Sequence, residues 1–422
     1  TRIRIIITNK IYKMKRKTII TAVVILLLGG IGTIKAFTAL KKEEPQEIRG
    51  IVVDRHDSVW YETQQRLWLQ KAEDTPTDEH AWQQAFEAAR YADMLAEDWG
   101  RTQRKQAILD KMKENIPNSF TYNLCMYMTE IAVRGGNPDP YAKQALQLMP
   151  DNIARKDAET LISYLWMSGK TLAKDKTPNV EQKHLTKFAQ HLYTTNAYPS
   201  YLLRYTYNSL QGMEENAIYF VNGDVPGYTS LVIQEALNQH TDKIIVPVSF
   251  LFVDTYRKAL CDFLGIKDFE VKKEYTAMDD YFQDLLEHII DNSKRPIYFF
   301  PTDSYPEIDS FKKNLYNEGL AFRYSTKRYD NMAIAKHNVE TKYNLQYITE
   351  PNFVYEEQWK GSERIQLNYV VMLAPVVKSY KESGDTLHAD QLMRSLISAV
   401  VQTSLPDEEK VKYINLLNDK QK

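Results

Sequence analysis

Three short polar runs, each placed directly after an apolar run, contain the side chains that could do chemistry. Asn222 and Asp224 follow the first apolar run, Asp254 follows the second, and Asp303 follows the third. If these runs are neighbouring strands, the carboxylates meet at one rim of a sheet, where Tyr228 also lies. Three carboxylates could bind a divalent cation or the hydroxyl groups of a sugar, and a tyrosine ring could stack on that sugar. We therefore predict a ligand site formed by Asn222, Asp224, Asp254, Asp303 and Tyr228.

The elements that must position these side chains are predicted to be parallel strands. Residues 217–221, 244–252 and 296–300 are continuous apolar runs rich in Ile, Val, Phe and Tyr, with helical patterns between them. Continuous apolar runs indicate strands that are covered on both faces, and β-helix-β spacing indicates parallel crossovers. Residues 320–325 add a fourth strand at an edge. The sequence predicts a small open parallel α/β sheet within residues 216–330.

The same polar residues have a simpler interpretation as helix caps. Asp, Thr and Ser between a strand and a helix are the usual N-cap residues, and capping stabilises a helix by about 1 kcal/mol. The loop at residues 222–227 has neither the spaced glycines of a dinucleotide site nor a phosphate loop. Whether the carboxylates form a site or only cap helices stays open at the level of sequence.

Searches for established catalytic and metal-binding motifs find none. The eight histidines include no pair in a His-Glu-x-x-His context, and no Gly-x-Ser-x-Gly motif occurs. The two cysteines, Cys125 and Cys261, are too few for a disulfide scaffold or a Cys-rich zinc module, although one bridge could form. We assign no catalytic residue, no metal ligand and no cofactor, and we leave open whether the protein is an enzyme.

The strongest targeting signal lies near the N-terminus. Residues 18–34 contain no charged side chain and follow a Met-Lys-Arg-Lys sequence at residues 14–17. This pattern is typical of a membrane anchor or of a cleaved signal peptide, and the run is at the lower limit for spanning a bilayer. The positive-inside rule places residues 1–17 in the cytoplasm as a leader. We predict an inner-membrane anchor at residues 18–34 with the main body in the periplasm; the alternative is secretion after signal cleavage.

Charge is distributed unevenly along the chain. The formal net charge is −1, but residues 1–42 carry ten basic residues and no acidic one. The remainder carries 44 basic and 55 acidic residues, a net charge of about −11. A surface of this sign attracts no polyphosphate, so we predict no nucleic-acid partner.

The exported part divides by pattern into helical and α/β regions. Residues 35–57 are mostly polar and are predicted to be a tether, and residues 58–211 have apolar spacings of three and four throughout. Within this helical domain, residues 119–152 match the length and turn positions of a degenerate tetratricopeptide-like hairpin. Residues 331–422 form a C-terminal extension with a second hairpin. A plain helical bundle is the alternative for residues 58–211.

Part of the chain resembles a known membrane-protein family. Residues 216–263, 295–300 and 318–324 contain a strand ending in Asn-Gly-Asp, a strand followed by an Asp that begins a helix, an Arg-Pro-Ile-Tyr strand and a Glu-Gly-Leu segment. They resemble the soluble C-terminal region of bacterial multi-pass membrane proteins related to the transmembrane O-mannosyltransferases.

This resemblance implies an accessory module without the transferase. Asn222, Asp224 and Asp254 stand where that family keeps the same residues, but Pro226 and Gly227 replace its following Asp and Thr. The catalytic part of the family is a bundle of many membrane helices, and this chain has one candidate helix at most.

Together these patterns predict a mixed α and α/β fold with an N-terminal transmembrane helix. The predicted function is a membrane-tethered interaction or scaffold module of the cell envelope, in which helical hairpins and the α/β unit present a groove to a protein or glycan partner. One alternative is an enzyme, or enzyme subunit, of envelope glycan metabolism that uses the carboxylates at the sheet rim. A further alternative is a solute-binding component, which requires a closed cleft between two lobes.

Overall fold

The fold was analysed in a computed structural model. It describes residues 43–418 apart from 52–53, 99, 101, 134, 173–177, 272–277, 302–310 and 349–362. The predicted anchor at residues 18–34, the leader before it and Asp303 lie outside the described residues. Among the helices that are described, none has both the length and the apolar character needed to cross a bilayer.

The first part of the described chain is helical, as the spacing of apolar residues predicts. Several of its helices begin at a side-chain cap: Asp57, Asp78, Thr102 and Ser119 each accept a hydrogen bond from the backbone N–H three residues later. The helices are α1 (Ser58–Asp74), α2 (Glu79–Leu95), α3 (Gln103–Asn115), α4 (Phe120–Ile131), α5 (Asp139–Leu148), α6 (Arg155–Met167), α7 (Val180–Thr194) and α8 (Ser200–Gly212).

The helical hairpin predicted at residues 119–152 is present as α4 and α5. Ser119 caps α4, and Ala145 of α5 is completely buried in the contact with its neighbours. A small residue at this point lets two helices approach closely. The hairpin is therefore observed, while its membership of a tetratricopeptide repeat stays a prediction.

The sheet has five strands and is mixed rather than wholly parallel. Its order is β2-β1-β3-β5-β4, with β1 (Ile218–Val221), β2 (Ile244–Pro247), β3 (Ile297–Phe299), β4 (Leu315–Asn317) and β5 (Phe322–Tyr324). The three predicted apolar runs supply the parallel strands, with β1 between β2 and β3. The parallel prediction is wrong for β5, which pairs antiparallel with β3 and also with β4, a strand that the sequence did not predict. The predicted edge strand, β5, is thus interior, because β4 covers its outer side.

Three helices connect the parallel strands. They are α9 (Asp224–Leu231), which continues as a π-helical turn over Val232–Ala236, α10 (Asp254–Leu264) and α11 (Met278–Asn292). The chain leaves β1 towards β2 on one side and returns to β3 on the other side of β1. Connections that diverge in this way open a crevice outside the carboxyl end of β1, which is where open α/β sheets bind ligands.

The C-terminal part is helical and includes the predicted second hairpin. It consists of α12 (Asn331–Thr341), the short 3₁₀ helix Gln346–Ile348, α13 (Glu363–Glu382), α14 (Thr386–Val401) and α15 (Asp407–Leu417). The hairpin of α13 and α14 turns at Gly384, whose φ of +77° favours glycine. Asn208 of α8 ties this part to the rest, because its amide donates to the Tyr369 hydroxyl at 2.8 Å and to the Asn344 carbonyl at 3.0 Å.

Buried apolar side chains form two separate cores. The first core contains side chains from residues 48–125 and the second contains side chains from residues 120–417. The boundary lies within α4, so α5 to α8 share a core with the sheet and the C-terminal helices. The two cores divide the chain within α4, and not at residues 211 and 330. The predicted domain limits at residues 211 and 330 stay predictions.

Part of the predicted tether is packed against the helical region. We call residues 43–51 the strap. The backbone N–H groups of Gln46 and Ile48 donate to the side chains of Gln64 and Gln84, both at 2.6 Å, and Trp68 donates to the Gln46 carbonyl at 2.7 Å. Ile48 is 3% exposed and belongs to the first core. The strap is therefore held against α1 and α2 by the contacts of Gln46 and Ile48.

Candidate functional site

Asp224 lies at the carboxyl end of β1, as predicted, but it does not cap the helix that follows. It is the first residue of α9, and the N-cap position is Gly223, at a φ of +84° and with no side-chain cap. The cap interpretation is thus wrong for Asp224, because the helix begins one residue too early for its side chain to reach back. Its carboxylate still lies at the positive end of the helix dipole. Asn222, just before, is partly buried at the strand end.

Asp254 does not join Asp224. The strand prediction for residues 244–252 is too long: β2 ends at Pro247, and a 3₁₀ helix over Val248–Phe252 carries the chain away from the sheet. Asp254 then begins α10, does not cap it, and pairs with Arg257 at 2.6 Å. Its side chain is 73% exposed. Because Asp303 lies outside the described residues, the predicted group of three carboxylates is not assembled in the part of the chain that the structure describes.

A cavity of about 460 Å³ opens beside Asp224 where the two cores meet. Its walls come from the strap, α2, α4, α6 and α9, together with side chains before and within α3. Phe86 and Tyr91 belong to the first core, whereas Val225 and Tyr228 belong to the second. The volume falls within the range of small-molecule sites, which usually lie between structural units and at the strand ends of α/β sheets. We call this space the junction cavity.

The α6 and α9 side of the junction cavity carries two carboxylates. Tyr228 is buried, and its hydroxyl lies 2.5 Å from the Ser163 hydroxyl and donates to the Glu159 carbonyl at 3.1 Å. The Glu159 carboxylate accepts hydrogen bonds from Arg155, at 2.6 Å, and from Tyr198. Asp224 is exposed towards the cavity. Tyr228 thus fixes α9 to α6 through its hydroxyl and also lines the cavity, and its role as a stacking ring stays a prediction.

Both carboxylates on this side have raised pKa values. Burial raises the pKa of Glu159, against the charge of Arg155, and the nearby Asp224 adds to the rise. Burial by the surrounding protein also raises the pKa of Asp224, against the charges of Arg155 and Arg90, although part of its side chain is open to solvent. Carboxylates with raised pKa values in a cavity are typical of functional sites.

Between α2 and α6 the lining of the junction cavity is cationic. Glu87 of α2 is completely buried, and its carboxylate accepts from Arg90 at 2.8 and 3.0 Å and pairs with Lys156 of α6 at 3.1 Å. Burial alone would raise the pKa of Glu87, but the charges of Arg90 and Lys156 outweigh it and hold the pKa low. Glu87 also raises the pKa of Lys156 despite burial. The three side chains therefore stay charged at neutral pH with a net charge of +1.

The strap forms a wall shared by two cavities. Arg49, Arg155 and Lys156 line both the junction cavity and a neighbouring cavity of about 520 Å³. Arg49 is exposed, and no carboxylate pairs with it among the described residues. Gly50, at a φ of +103°, carries the strap past the Tyr91 hydroxyl. A segment predicted to be only a tether thus contributes a cationic side chain to the candidate site.

Sequence reasoning missed the helical side of this cavity. Glu87 stands inside the stretch Ala-Phe-Glu-Ala-Ala of α2, where residues on all sides are buried. A carboxylate in such a stretch has to be paired, and Arg90 follows at the spacing of one helical turn. That signal indicated a buried ion pair, but only the fold could bring Lys156 to it.

Other candidate chemistry is absent from the described residues. No group of three or more His, Cys, Asp or Glu side chains is arranged to hold a metal ion in the described ranges. Cys125 and Cys261 are both buried and free, so the bridge that the sequence left open is not formed. Burial raises the pKa of the Cys261 thiol to about 11 and that of Cys125 well above its ordinary value. Thiolate chemistry at neutral pH is thereby disfavoured.

We compared the chain with protein-family models, with curated proteins and with solved structures, and none of them matches it. The resemblance to the O-mannosyltransferase-related proteins therefore stays a prediction.

Proposed function

We propose that this protein is an interaction module of the cell envelope that binds a glycan in the junction cavity. The observation that carries the proposal is the cavity itself, which lies at the carboxyl end of β1 and between two cores, with Asp224 and a cationic cluster in its lining. Carboxylate and guanidinium groups are suited to bind sugar hydroxyls, because they make strong charge-assisted hydrogen bonds.

The location of the protein is part of the proposal. We propose that residues 18–34 hold the chain in the inner membrane and that the described body lies in the periplasm. The alternative is secretion after cleavage. Protease treatment of intact spheroplasts distinguishes export from retention, and the mass of the mature chain distinguishes an anchor from a removed signal.

A matched pair of variants tests the cavity as the site. Asp224→Asn and Asp254→Asn each remove a carboxylate from the first residue of a helix that follows the sheet, so each loses the same interaction with a helix dipole, about 0.3–1 kcal/mol. Only Asp224 lines the cavity. The full chain is screened on an array of bacterial envelope glycans, and the affinity for the best ligand is measured by calorimetry. We expect Asp224→Asn to weaken binding about tenfold or more and Asp254→Asn to leave it unchanged.

Two results would contradict the proposal. One is the absence of any glycan ligand on the array. The other is an equal loss of affinity in both variants, which would place the effect in the helices rather than in the cavity. Chemical denaturation of both variants serves as the control for folding.

The raised pKa values support a second candidate function, in which the same cavity cleaves a glycan. A carboxylic acid with a raised pKa can donate a proton to a leaving group near neutral pH. The partner of Asp224 would then be Glu159 rather than Asp254, since Asp254 is paired with Arg257 outside the cavity. Incubation with the ligands from the array, followed by mass spectrometry, tests it. Cleavage that is lost in Asp224→Asn and in Glu159→Gln would make this the function, and intact ligands would exclude it.

A further inference from the structure

We propose that the ligand of the junction cavity is a hydroxylated carboxylate, of the class of acidic sugars. Its carboxylate binds at Arg49, Arg90 and Lys156, and its hydroxyl groups donate to Asp224. This inference rests on the proposed glycan-binding function and adds the charge and orientation of the ligand.

The cationic wall has hydrogen-bond donors left over. Arg90 donates two hydrogen bonds to one oxygen of Glu87, from its Nε and from one of its two terminal nitrogens. The other terminal nitrogen of the guanidinium group does not take part in this contact. Lys156 forms an ion pair with the second oxygen of Glu87 at 3.1 Å. The side chains of Arg90 and Lys156 are 31% and 19% exposed, and both line the cavity. Their remaining donors are therefore accessible to a ligand.

Charge is not balanced on this wall. Glu87 is one carboxylate between two cations, and Arg155 is matched by Glu159. Arg49 adds a further positive charge, and the described residues give it no carboxylate partner. Uncompensated cations that face a cavity stabilise a bound anion, and an arginine binds a carboxylate with particularly strong, directional hydrogen bonds.

The carboxylates that line the cavity limit what else the ligand can carry. The lining contains five cationic side chains against three carboxylates; the five are Arg49, Arg90, Lys105, Arg155 and Lys156, and the three are Asp98, Glu159 and Asp224. Two buried carboxylates lie behind the lining: Glu87 pairs with Arg90 and Lys156, and Asp93 pairs with Lys105 at 3.6 Å. The excess of positive charge is therefore confined to Arg49, Arg90 and Lys156, and a single carboxylate matches it. A phosphate dianion brings a second negative charge towards Asp224, so neutral hydroxyl groups fit best beside that carboxylate.

The test compares one sugar in three states of charge. The full chain is titrated by calorimetry with methyl glucuronoside, with the corresponding neutral methyl glucoside and with glucose 6-phosphate. Arg49→Gln removes the exposed cation of the strap and leaves Glu87, Arg90 and Lys156 intact. Arg204→Gln is the matched control, because Arg204 is an exposed arginine on α8 that does not line the cavity. We expect the glucuronoside to bind about tenfold more tightly than the glucoside, and Arg49→Gln but not Arg204→Gln to remove that advantage.

The outcomes separate this inference from the function on which it rests. Equal affinity for the glucuronoside and the glucoside, with a loss in Asp224→Asn, overturns the acidic ligand and leaves glycan binding in place. Tighter binding of glucose 6-phosphate than of the glucuronoside overturns the carboxylate in favour of a phosphate. Absence of binding by all three probes overturns both proposals, and an equal effect of Arg49→Gln and Arg204→Gln overturns the role of the strap.

Discussion

Replacing Glu87 by Gln should destabilise the protein at neutral pH by about 3 kcal/mol. The carboxylate is fully buried, with Arg90 on one oxygen at 2.8 and 3.0 Å and Lys156 on the other at 3.1 Å. Removing one member of a buried ion pair costs about 3–5 kcal/mol, because the partner charges stay behind without compensation. Glutamine has nearly the same shape and keeps an acceptor, so we expect the lower end of that range. This corresponds to a roughly hundredfold change in the unfolding equilibrium constant.

The pH dependence of this difference identifies its cause. The folded protein holds the pKa of Glu87 below its ordinary value of 4.5, so the carboxylate contributes stability above that pH, and the contribution is lost as pH falls through the lower folded value. The difference between Glu87→Gln and the natural protein should therefore be constant near pH 7 and shrink below about pH 4.5.

Urea unfolding followed by tryptophan fluorescence measures the Glu87 effect, since Trp68 and Trp82 are buried in the same core. The control is Glu62→Gln, whose exposed carboxylate pairs with Arg104 at 3.2 Å and should contribute less than about 1 kcal/mol. A loss in Glu87→Gln no larger than that of the control, or a loss that stays constant down to pH 3, would refute the assignment of a charged buried cluster.

Two further predictions concern backbone and thiol chemistry. Gly169→Ala would place a Cβ 2.3 Å from the Cβ of Ala259 at a φ of +70°, whereas Gly223→Ala meets no atom within 4 Å at a φ of +84°. We expect a loss of about 1 kcal/mol for Gly223→Ala from backbone strain alone and at least about 2 kcal/mol for Gly169→Ala, by thermal denaturation; equal losses would contradict the close contact. Cys125 and Cys261 should react with a thiol reagent only after unfolding, so rapid labelling of the folded chain would contradict their burial.

Local sequence patterns predicted the elements better than their arrangement. The apolar runs at residues 217–221 and 296–300 became β1 and β3 with limits shifted by one residue, because burial on both faces leaves a clear pattern. The run at residues 244–252 is as apolar but ends as a strand at Pro247. β4 (Leu315–Asn317) lies at the sheet edge, where each of its residues is partly exposed. A strand in that position does not need a continuous apolar run, so no pattern in the sequence predicted it.

The candidate site was predicted only in its α/β half. Asp224 was found because a carboxylate after a buried strand lies at a defined place in a sheet. Asp254 was placed beside it by the same rule, which fails when a 3₁₀ helix follows the strand. Arg90 and Lys156 lie far apart in the sequence and meet only through the packing of α2 against α6, so no local pattern could join them to Asp224.

The strap connects the proposed site to the predicted anchor. Residue 43 already belongs to the packed strap, while the predicted membrane segment ends at residue 34. The eight residues between them can span at most about 29 Å when fully extended. An uncleaved anchor would therefore hold the strap, and with it the wall of the junction cavity that contains Arg49, close to the outer face of the inner membrane. Glycans that are assembled at or attached to that surface would be within reach of an anchored protein, whereas a cleaved signal would remove this restriction and let the same cavity sample the whole periplasm.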